Sequence, residues 1–283
     1  MIRQYAKLKY IAITLFILST LMVVIFLPNH PIDPWRLFNP KVFGVLILTM
    51  LGIQFFGYLA IRVFGQYFGL AITGFLGGFI SSTAVFANLP HALLNYPHHK
   101  RPILASALLA TVAMLIAILM ILFVASRIFF LTLFWPVVSM ILLAGIMALL
   151  LLLSHKNTNH ITQKISPTFN IASVIFTALF IGAILIVITV IRRYVGIEGL
   201  LFASFLGGLF EVHSITLGTA VLYVGHQINL QDASYALILA ILASFFSKIG
   251  LLWALTPRRF AAIASLYLFV IVITGAIVYR IMI

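Results

Sequence analysis

The chain has 283 residues, of which 64% are hydrophobic and only 7% are charged. A soluble domain could not bury that much apolar surface, so the composition excludes a soluble globular protein and predicts one that lies in lipid. Runs of about 20 apolar residues recur, the length that crosses a hydrocarbon core of about 30 Å as a helix. These runs lack the alternation of barrel strands, so we expect an all-α polytopic membrane protein.

The net charge of +13 would favour nucleic-acid binding in a soluble chain. Here the basic residues instead flank the apolar runs: Arg3, Lys7, Lys9, Lys100, Arg101, Lys156, Lys164, Arg258 and Arg259. Bases at such places meet anionic lipid and set the orientation of helices. We therefore expect the lipid bilayer, and no nucleic acid, as the partner. The chain contains no cysteine, which excludes disulfides and Cys-ligated metals, and a multi-pass chain of this kind fits a bacterial inner membrane.

Nine apolar segments follow one another, joined by short connections. They fall near residues 10–27, 41–64, 68–90, 103–126, 128–153, 170–191, 199–223, 233–255 and 260–281. The first has a basic start but no small-residue cleavage site after it, so we expect a retained helix rather than a signal peptide. The longest connection, 154–168, is polar and lies near the middle of the chain, which predicts a boundary between two halves.

The second half repeats the first at an offset of 130 residues. With this shift four consecutive segments of each half fall in register, and FLGG at 75–78 aligns with FLGG at 205–208. We therefore predict a single membrane domain over 1–283, built from an N-terminal helix and two four-segment repeats. Its parts are an N-terminal helix and loop at 1–40, a first repeat at 41–153, a linker at 154–169 and a second repeat at 170–283.

The paired glycines predict a broken helix in each repeat, at Gly77 and Gly78 and at Gly207 and Gly208. Repeats of this kind build transporter folds, with sites near the midplane where the broken helices of the two halves meet. If both glycine-containing segments cross the membrane, the chain has nine spans and parallel repeats. If both enter and return on one side, it has seven full spans and inverted repeats. The counts of basic residues on the two sides differ too little to decide, so the orientation stays open.

Glu211 is the sharpest candidate for chemistry, because it lies near the middle of an apolar segment. An unpaired carboxylate is costly there, so it must be protonated, paired, hydrated or metal-bound. His213 would face another direction in a regular helix, but in an unwound stretch after the glycine pair both side chains can reach one cavity. The pair predicts a proton relay or two ligands of a divalent metal ion. A structural role in hydrogen-bonded helix packing is the alternative for both.

A set of hydroxyl residues accompanies the two glycine pairs. Ser81, Ser82 and Thr83 occupy the equivalent place in the first repeat, and Thr216 follows the second glycine pair. Hydroxyls after a break can cap a half-helix and leave N–H groups that attract anions. Routine packing of small residues at helix crossings is the alternative.

Lys248 is a strongly basic residue well inside the 233–255 segment. Its length lets it snorkel, but its depth makes it the natural ion-pair partner of Glu211.

No phosphate loop, nucleophile–base triad or zinc-protease motif is present, so we expect no enzyme activity.

Three stretches of the chain carry a resemblance to a known family. They are LPNHPIDPWRLFNPK (27–41), GLAITGFLGGFISSTAV (69–85) and YVGIEGLLFASFLGGLFEVHSITL (194–217). They resemble the membrane domain usually found C-terminal to the MgtC domain in MgtC/SapB-type proteins, catalogued as domain-of-unknown-function family 4010 (DUF4010). No MgtC portion is present, so we expect that second domain standing alone. The resemblance implies membrane location and a link to ion homeostasis, and it supplies no activity.

The chain departs from the family pattern at the site. The family motif after the second glycine pair is Asp-Val-Asp-Ala-Ile-Thr, and here it reads Glu211, Val212, His213, Ser214, Ile215, Thr216. An imidazole thus replaces the second carboxylate, and an Arg that family members often carry near Ala117 is absent. The resemblance therefore implies an altered site charge, so that a family substrate need not transfer.

The leading hypothesis is a transporter or channel-like protein for a small inorganic ion, with its site between the two broken helices. The ion would be a cation, divalent or coupled to protons, held by Glu211 and His213, and no cofactor is expected beyond a divalent metal ion as substrate. Anion transport is one alternative. A non-transporting membrane regulator or assembly partner is the other. For any of these functions the expected protein partner is a second copy of the chain or another membrane protein.

Overall fold

The computed structural model describes residues 39–64, 69–154 and 194–282, with isolated positions between 18 and 30 and between 183 and 191. Within these ranges the chain forms helices and no strand. The helices are α1 Pro40–Phe64, α2 Leu70–Asn95, α3 Lys100–Ala125, α4 Arg127–Leu153, α5 Ile197–Phe210, α6 Val212–Val224, α7 Leu230–Leu255 and α8 Arg258–Met282. Six of them, all except α5 and α6, are long and apolar enough to cross a membrane by length and composition. The prediction of an all-α integral membrane protein is confirmed at this level.

Several predicted boundaries lie outside the described residues. The segments at 10–27 and 170–191 and the linker at 154–169 fall almost entirely there, so the number of nine segments stays a prediction. The predicted segment at 199–223 consists of two helices, α5 and α6, rather than one. The long helices α3 and α7 have the same length and begin 130 residues apart.

Helix α2 changes direction at Ser81, whose backbone is extended (φ −163°, ψ 105°) within otherwise helical neighbours. A Cβ atom placed on Gly77 would lie 3.0 Å from a methyl group of Val85. Residues eight apart in a straight helix are separated by about 12 Å along the axis, so the chain must fold back between them. α2 is therefore a helical hairpin with arms at 70–80 and 82–95.

The same reversal separates α5 from α6 at Glu211, whose backbone is also extended (φ −153°, ψ 98°). Across this break a Cβ on Gly207 would meet the side chain of Ile215, again eight residues further on. The pair α5–α6 is thus a second helical hairpin, with Glu211 at its tip.

Contacts between loops define two ends of the helix bundle. One cavity is lined by Pro97 from the α2–α3 connection, Pro257 from the α7–α8 connection and Leu151 near the end of α4. We call this the basic end, because Lys100, Arg101, Arg258 and Arg259 lie there. These helix ends share one side of the bundle.

The opposite side is the far end. A small pocket there is lined by Lys41 from the start of α1, Ala125 from the end of α3 and Val224 from the end of α6. The rings of Phe129 in α4 and Tyr223 in α6 also meet, with centroids 5.4 Å apart. Since α3 runs from the basic end to the far end and α7 runs the opposite way, these two long helices are antiparallel.

The two hairpins enter the bundle from opposite ends. In α2 the first arm runs alongside α3 in the same direction, with Gly74 against Ser106 and Gly78 against Ala110. Because α3 begins at the basic end, this arm begins there too, and Asn95 returns to that end to meet α3. An arm of 11 residues rises about 16 Å, roughly half of a hydrocarbon core. α2 is long enough to cross, but it reverses midway.

The α5–α6 hairpin enters the bundle in the opposite direction. Gly208 near its tip lies against Ala240, in the first half of α7. α7 begins at the far end, and Val224 at the end of α6 lies at the same end. The second hairpin therefore enters from the far end, and its tip reaches the middle of the bundle.

Candidate functional site

The tip of the second hairpin is organised by Glu211, which is both the C-cap of α5 and the N-cap of α6. Its Oε1 accepts a hydrogen bond of 3.1 Å from the backbone N–H of His213. This places a carboxylate at the positive end of the α6 dipole, where an anion is favoured. The extended backbone at Glu211 also removes the regular helical spacing that would point the two side chains apart.

The side chains of Glu211 and His213 are in direct contact. The Oε1 atom of Glu211 lies 2.6 Å from Nδ1 of His213, a short distance typical of a charge-assisted hydrogen bond. The His213 side chain is 5% exposed and that of Glu211 is 23% exposed. With Glu211 ionised, the proton in this bond belongs to Nδ1, so the bond fixes the tautomer of the imidazole. Two coupled groups of this kind can accept and pass on a proton.

The second ring nitrogen of His213 has no hydrogen-bond partner. Nε2 of His213 and the hydroxyl oxygen of Ser214 are both buried and unpaired in the described structure. A buried polar atom without a partner costs about 1–3 kcal/mol, so such atoms call for a ligand, water or ion. A histidine whose Nδ1 is held by a carboxylate and whose Nε2 is open is also the usual arrangement of a metal-binding imidazole.

The described residues do not complete a metal site. No group of three or more His, Cys, Asp and Glu side chains comes together among them. Oε1 of Glu211 is also hydrogen-bonded to Nδ1 of His213, so these two atoms do not ligate one metal ion together. The metal site predicted from Glu211 and His213 thus has no third protein ligand of these types in the described part of the chain.

The hydroxyls of the first hairpin occupy the corresponding tip. The Ser81 hydroxyl accepts a 3.2 Å hydrogen bond from the backbone N–H of Ala84 and so caps the returning arm. Ser82 is buried and Thr83 is half-buried. This tip resembles the Glu211 tip in its capping but carries no ionisable group.

Thr216 is buried in α6, about one turn after this helix begins at Val212. Its hydroxyl donates a 2.8 Å hydrogen bond to the carbonyl of Val212 in the same helix. Ser and Thr commonly satisfy themselves in this way inside apolar helices. The bond leaves the hydroxyl oxygen able to accept another, so Thr216 can still contact a ligand.

Lys248 is fully buried, at 0% exposure, where α7 crosses α3. Its Nζ donates a 2.6 Å hydrogen bond to the hydroxyl of Ser244 and lies 3.2 Å from the sulfur of Met114. The rings of Phe86 and Phe245 lie 5.9 and 5.7 Å from Nζ, a range in which an ammonium is attracted to an aromatic face. The ammonium is thus held by a hydroxyl, a sulfur and two rings.

The predicted ion pair between Lys248 and Glu211 is not formed. No carboxylate oxygen lies within 4.0 Å of Nζ among the described residues, where Glu211 pairs with His213 instead. The side chain of Lys248 folds back along its own helix to Ser244, one turn earlier. The two charges interact only from beyond 4.0 Å. Burial of a cation without a directly paired opposite charge costs several kcal/mol, and such a cost is typical of functional sites in membrane proteins.

The glycine pairs lie beside the breaks but do not form them. Both hairpins stay helical through the glycines and reverse three residues later, at Ser81 and Glu211. Gly78 instead brings its arm against the backbone of Ala110, and Gly208 does the same at Ala240. The break predicted at Gly77, Gly78, Gly207 and Gly208 is therefore displaced, because these glycines serve close approach rather than an unusual backbone conformation.

Close contacts recur at the 130-residue offset. A Cβ on Gly78 would lie 2.5, 2.6 and 2.9 Å from O, Cα and C of Ala110, and a Cβ on Gly208 would lie at the same three distances from Ala240. At the crossing of α3 and α7, Ser244 contacts Met114, and these two residues are themselves 130 apart, with their side-chain atoms at 3.5 Å.

Met114 and Phe86 belong to the site although the sequence reading missed them. Both are apolar residues in apolar helices, and nothing in their local sequence distinguishes them. The predicted offset of 130 residues relates Met114 to Ser244, which lies one helical turn from Lys248, and is the one sequence signal that points to Met114.

Comparison with protein families gives a match. A family model described as "Domain of unknown function (DUF4010)" matches residues 46–256. That range contains both hairpins and the long helices that cross between them. No curated protein and no solved structure matches the chain. Since the family model covers well over half of its residues, the chain belongs to the DUF4010 family.

Proposed function

We propose that the chain is built from two inverted repeats, each contributing one hairpin that enters and returns on the same side of the membrane. The antiparallel α3 and α7 support this, as do hairpins that enter from opposite ends. In an inverted pair the two-fold axis lies in the membrane plane, and equivalent residues meet where the axis passes. The contact between Met114 and Ser244 fits such an axis. With two hairpins that do not cross, the predicted segments give seven full spans.

We further propose that the basic end faces the cytoplasm. Lys100, Arg101, Arg258 and Arg259 lie at this end, whereas the described bases at the far end are Lys41, Arg127 and Arg280. Glu198 and Asp232 both lie at the far end, in the first turns of α5 and α7. An excess of Lys and Arg marks cytoplasmic loops. In a bacterium this orientation would be that of an inner-membrane protein.

The function that this arrangement supports best is proton-coupled transport of a small inorganic ion. Two hairpins that enter from opposite sides and both pack against α3 and α7 would offer a central site that opens to either side by small movements of the halves. The observation that carries the proposal is the hydrogen-bonded pair of Glu211 and His213 at the tip of the second hairpin. Ionisable groups at such depth are costly, and in membrane proteins they mark ion and proton pathways.

The proposal assigns separate roles to the charged residues. Glu211 and His213 share and release a proton, and the open Nε2 of His213 faces the substrate. Lys248 supplies a positive charge where α3 and α7 cross, and protonation of the Glu211–His213 pair changes the net charge around the substrate. Ser81, Ser82 and Thr83 contribute hydroxyl oxygens from the tip of the first hairpin, and Thr216 contributes one from the second hairpin.

The test is proton movement in liposomes that contain the purified protein and a pH-sensitive dye. Gradients of Mg²⁺, Mn²⁺, Zn²⁺, Ni²⁺, chloride, phosphate and sulfate are imposed in turn. We expect at least one of them to change the internal pH, and the Glu211→Gln variant to lose this response, because a carboxamide neither binds nor releases a proton. Glu198→Gln is the matched control, since Glu198 is an exposed acid at the far end.

Two results would contradict the proposal. A pH response unchanged in Glu211→Gln would remove this carboxylate from the pathway. The absence of a pH response to every imposed ion, with protein that retains its helical content, would favour the non-transporting regulator.

Anion transport is the second candidate, and the observation that favours it is Lys248. A fully buried ammonium with no described carboxylate within 4.0 Å is a suitable partner for an anion. If the anion gradients alone drive the pH response, and Lys248→Met abolishes it, the substrate is an anion carried with protons.

A further inference from the structure

A large cavity at the basic end lies outside the hairpin site. Its volume is about 1010 Å³, at the upper end of the range of ligand pockets, about 300–1,000 Å³. Its walls come from the second arm of α2, the starts of α3 and α8 and the ends of α4 and α7. Apolar side chains such as Leu104, Ile263 and Phe260 form most of these walls.

The rim of this cavity is strongly positive. Lys100 and Arg101 from α3 and Arg258 and Arg259 from α8 line it together, and all four are exposed. The Arg101 guanidinium donates a 2.9 Å hydrogen bond to the carbonyl of Ser154. None of these four bases forms an ion pair with a carboxylate among the described residues. Their positive charge is therefore not neutralised by the described part of the chain.

The placement of these bases adds to the positive potential. Both pairs lie in the first turn of a helix, α3 and α8, where unpaired backbone N–H groups and the helix dipole already favour an anion. α3 has no side-chain cap at this end. A cation at a helix N-terminus is electrostatically unfavourable. Four cations around one cavity also repel one another. An anion bound between them would offset this repulsion.

We propose that this cavity binds an anionic phospholipid. The phosphate of the headgroup lies between the α3 and α8 base pairs, and an acyl chain occupies the apolar part. A basic rim over an apolar wall at a membrane surface matches both halves of such a lipid. A soluble phosphate would use the rim but leave the apolar wall without a partner, so the lipid is the occupant that fits the whole cavity.

Trp253 provides a local fluorescence probe, because it lies in α7 two residues before Leu255, which lines the cavity. Its indole N–H donates a 3.1 Å hydrogen bond to the hydroxyl of Ser265 in α8. In a variant with Trp35 and Trp135 changed to phenylalanine, Trp253 is the single tryptophan. The protein is reconstituted in bilayers that contain brominated phosphatidylglycerol or brominated phosphatidylcholine. Quenching of Trp253 then gives the preference for the anionic lipid.

We expect a clear preference for phosphatidylglycerol that falls by about five-fold for each base removed, the contribution of one Lys or Arg near an anionic surface. The test variant is Arg258→Gln/Arg259→Gln. The matched control, Arg127→Gln/Arg280→Gln, removes two exposed bases at the far end and should keep the preference. Emission of Trp253 in phosphatidylcholine alone reports whether each variant is folded.

Three outcomes would overturn the proposal. Equal quenching by the two lipids would show no selective site, and a preference unchanged in the test variant would place it elsewhere. A preference abolished by millimolar inorganic phosphate or glycerol phosphate would identify a site for a soluble anion. None of these results depends on what the hairpin site transports.

Discussion

The close approach of the hairpins to the long helices can be tested by adding one carbon atom at Gly78 or Gly208. A Cβ on Gly78 would lie 2.5 Å from the carbonyl oxygen of Ala110, and a Cβ on Gly208 would lie 2.5 Å from that of Ala240. Ordinary contact begins at 3.4 Å, so the overlap is about 0.9 Å. The atoms in the way belong to backbone, which cannot rotate aside as the end of a side chain can.

The size of the effect follows from a comparison with Gly145. This glycine lies inside α4, and a Cβ there would meet nothing within 4 Å. Alanine is favoured over glycine by about 1 kcal/mol in a helix interior, so Gly145→Ala should be neutral or stabilising. Gly78→Ala and Gly208→Ala gain the same propensity but force two helices apart, which typically costs about 1–3 kcal/mol. Each should therefore be less stable than Gly145→Ala by about that amount.

The measurement is the free energy of unfolding in lipid–detergent micelles, from SDS titration followed by circular dichroism. We expect the two hairpin variants to be destabilised by similar amounts, because the added atom meets the same three backbone atoms at the same distances. If either one is as stable as Gly145→Ala, the close approach is wrong for that hairpin. If only one is destabilised, the equivalence of the two contacts fails.

Two further predictions concern topology and the buried cation. Single cysteines at Gly69 and Asn95, which flank α2, should be labelled by a membrane-impermeant maleimide from one side, and cysteines at Ile197 and Gln227, which flank α5–α6, from the other. A label at Gly69 and Asn95 from opposite sides would mean that α2 crosses. Lys248→Met should leave the unfolding free energy unchanged or raise it, because the desolvation of the ammonium is removed, while transport is lost. A fall of more than about 3 kcal/mol would instead make Lys248 a structural element.

Hydropathy predicts most of the helices in this fold, because a lipid solvent requires each span to satisfy its own backbone and to be apolar throughout. The predicted segment 103–126 differs from α3 by a few residues at its start, and 128–153 differs from α4 by one. The reversal of α2 could not be predicted in this way. A hairpin of two apolar arms and a straight apolar span have the same composition, and they differ only at one extended residue, Ser81.

The energetic cost of burying ionisable groups predicts where the candidate site lies, but it does not predict which side chains pair there. Glu211 and His213 could be expected to matter because ionisable groups at mid-depth need partners. Their mutual contact depends on the extended backbone at Glu211, which the glycine pair suggested only roughly. Lys248 was assigned to Glu211 by charge alone. Its real surroundings, the hydroxyl of Ser244 and the sulfur of Met114, depend on how α3 and α7 cross, and no local pattern encodes that crossing.

The two hairpins share a backbone and differ in chemistry, which constrains how a site between them can work. At positions 130 residues apart, Ser81 corresponds to Glu211 and Thr83 to His213. Both tips are capped by the side chain at the reversal, so the carboxylate is not needed for the turn. A carboxylate at this costly position, hydrogen-bonded to a buried imidazole, therefore supports the proposed proton binding.

The same comparison applies to the long helices, where Lys248 of α7 corresponds to Ile118 of α3. Ile118 is fully buried in its own helix, so the fold accepts an apolar side chain at that place. All the ionisable groups at these paired positions therefore belong to the second half of the chain. Under the proposed function, movement of the hairpin that enters from the far end would carry the Glu211–His213 pair with it, whereas movement of the first hairpin would change only the positions of hydroxyl groups. Proton coupling should therefore depend on the second hairpin, and substitutions at Ser81 should alter substrate affinity while leaving the pH response intact.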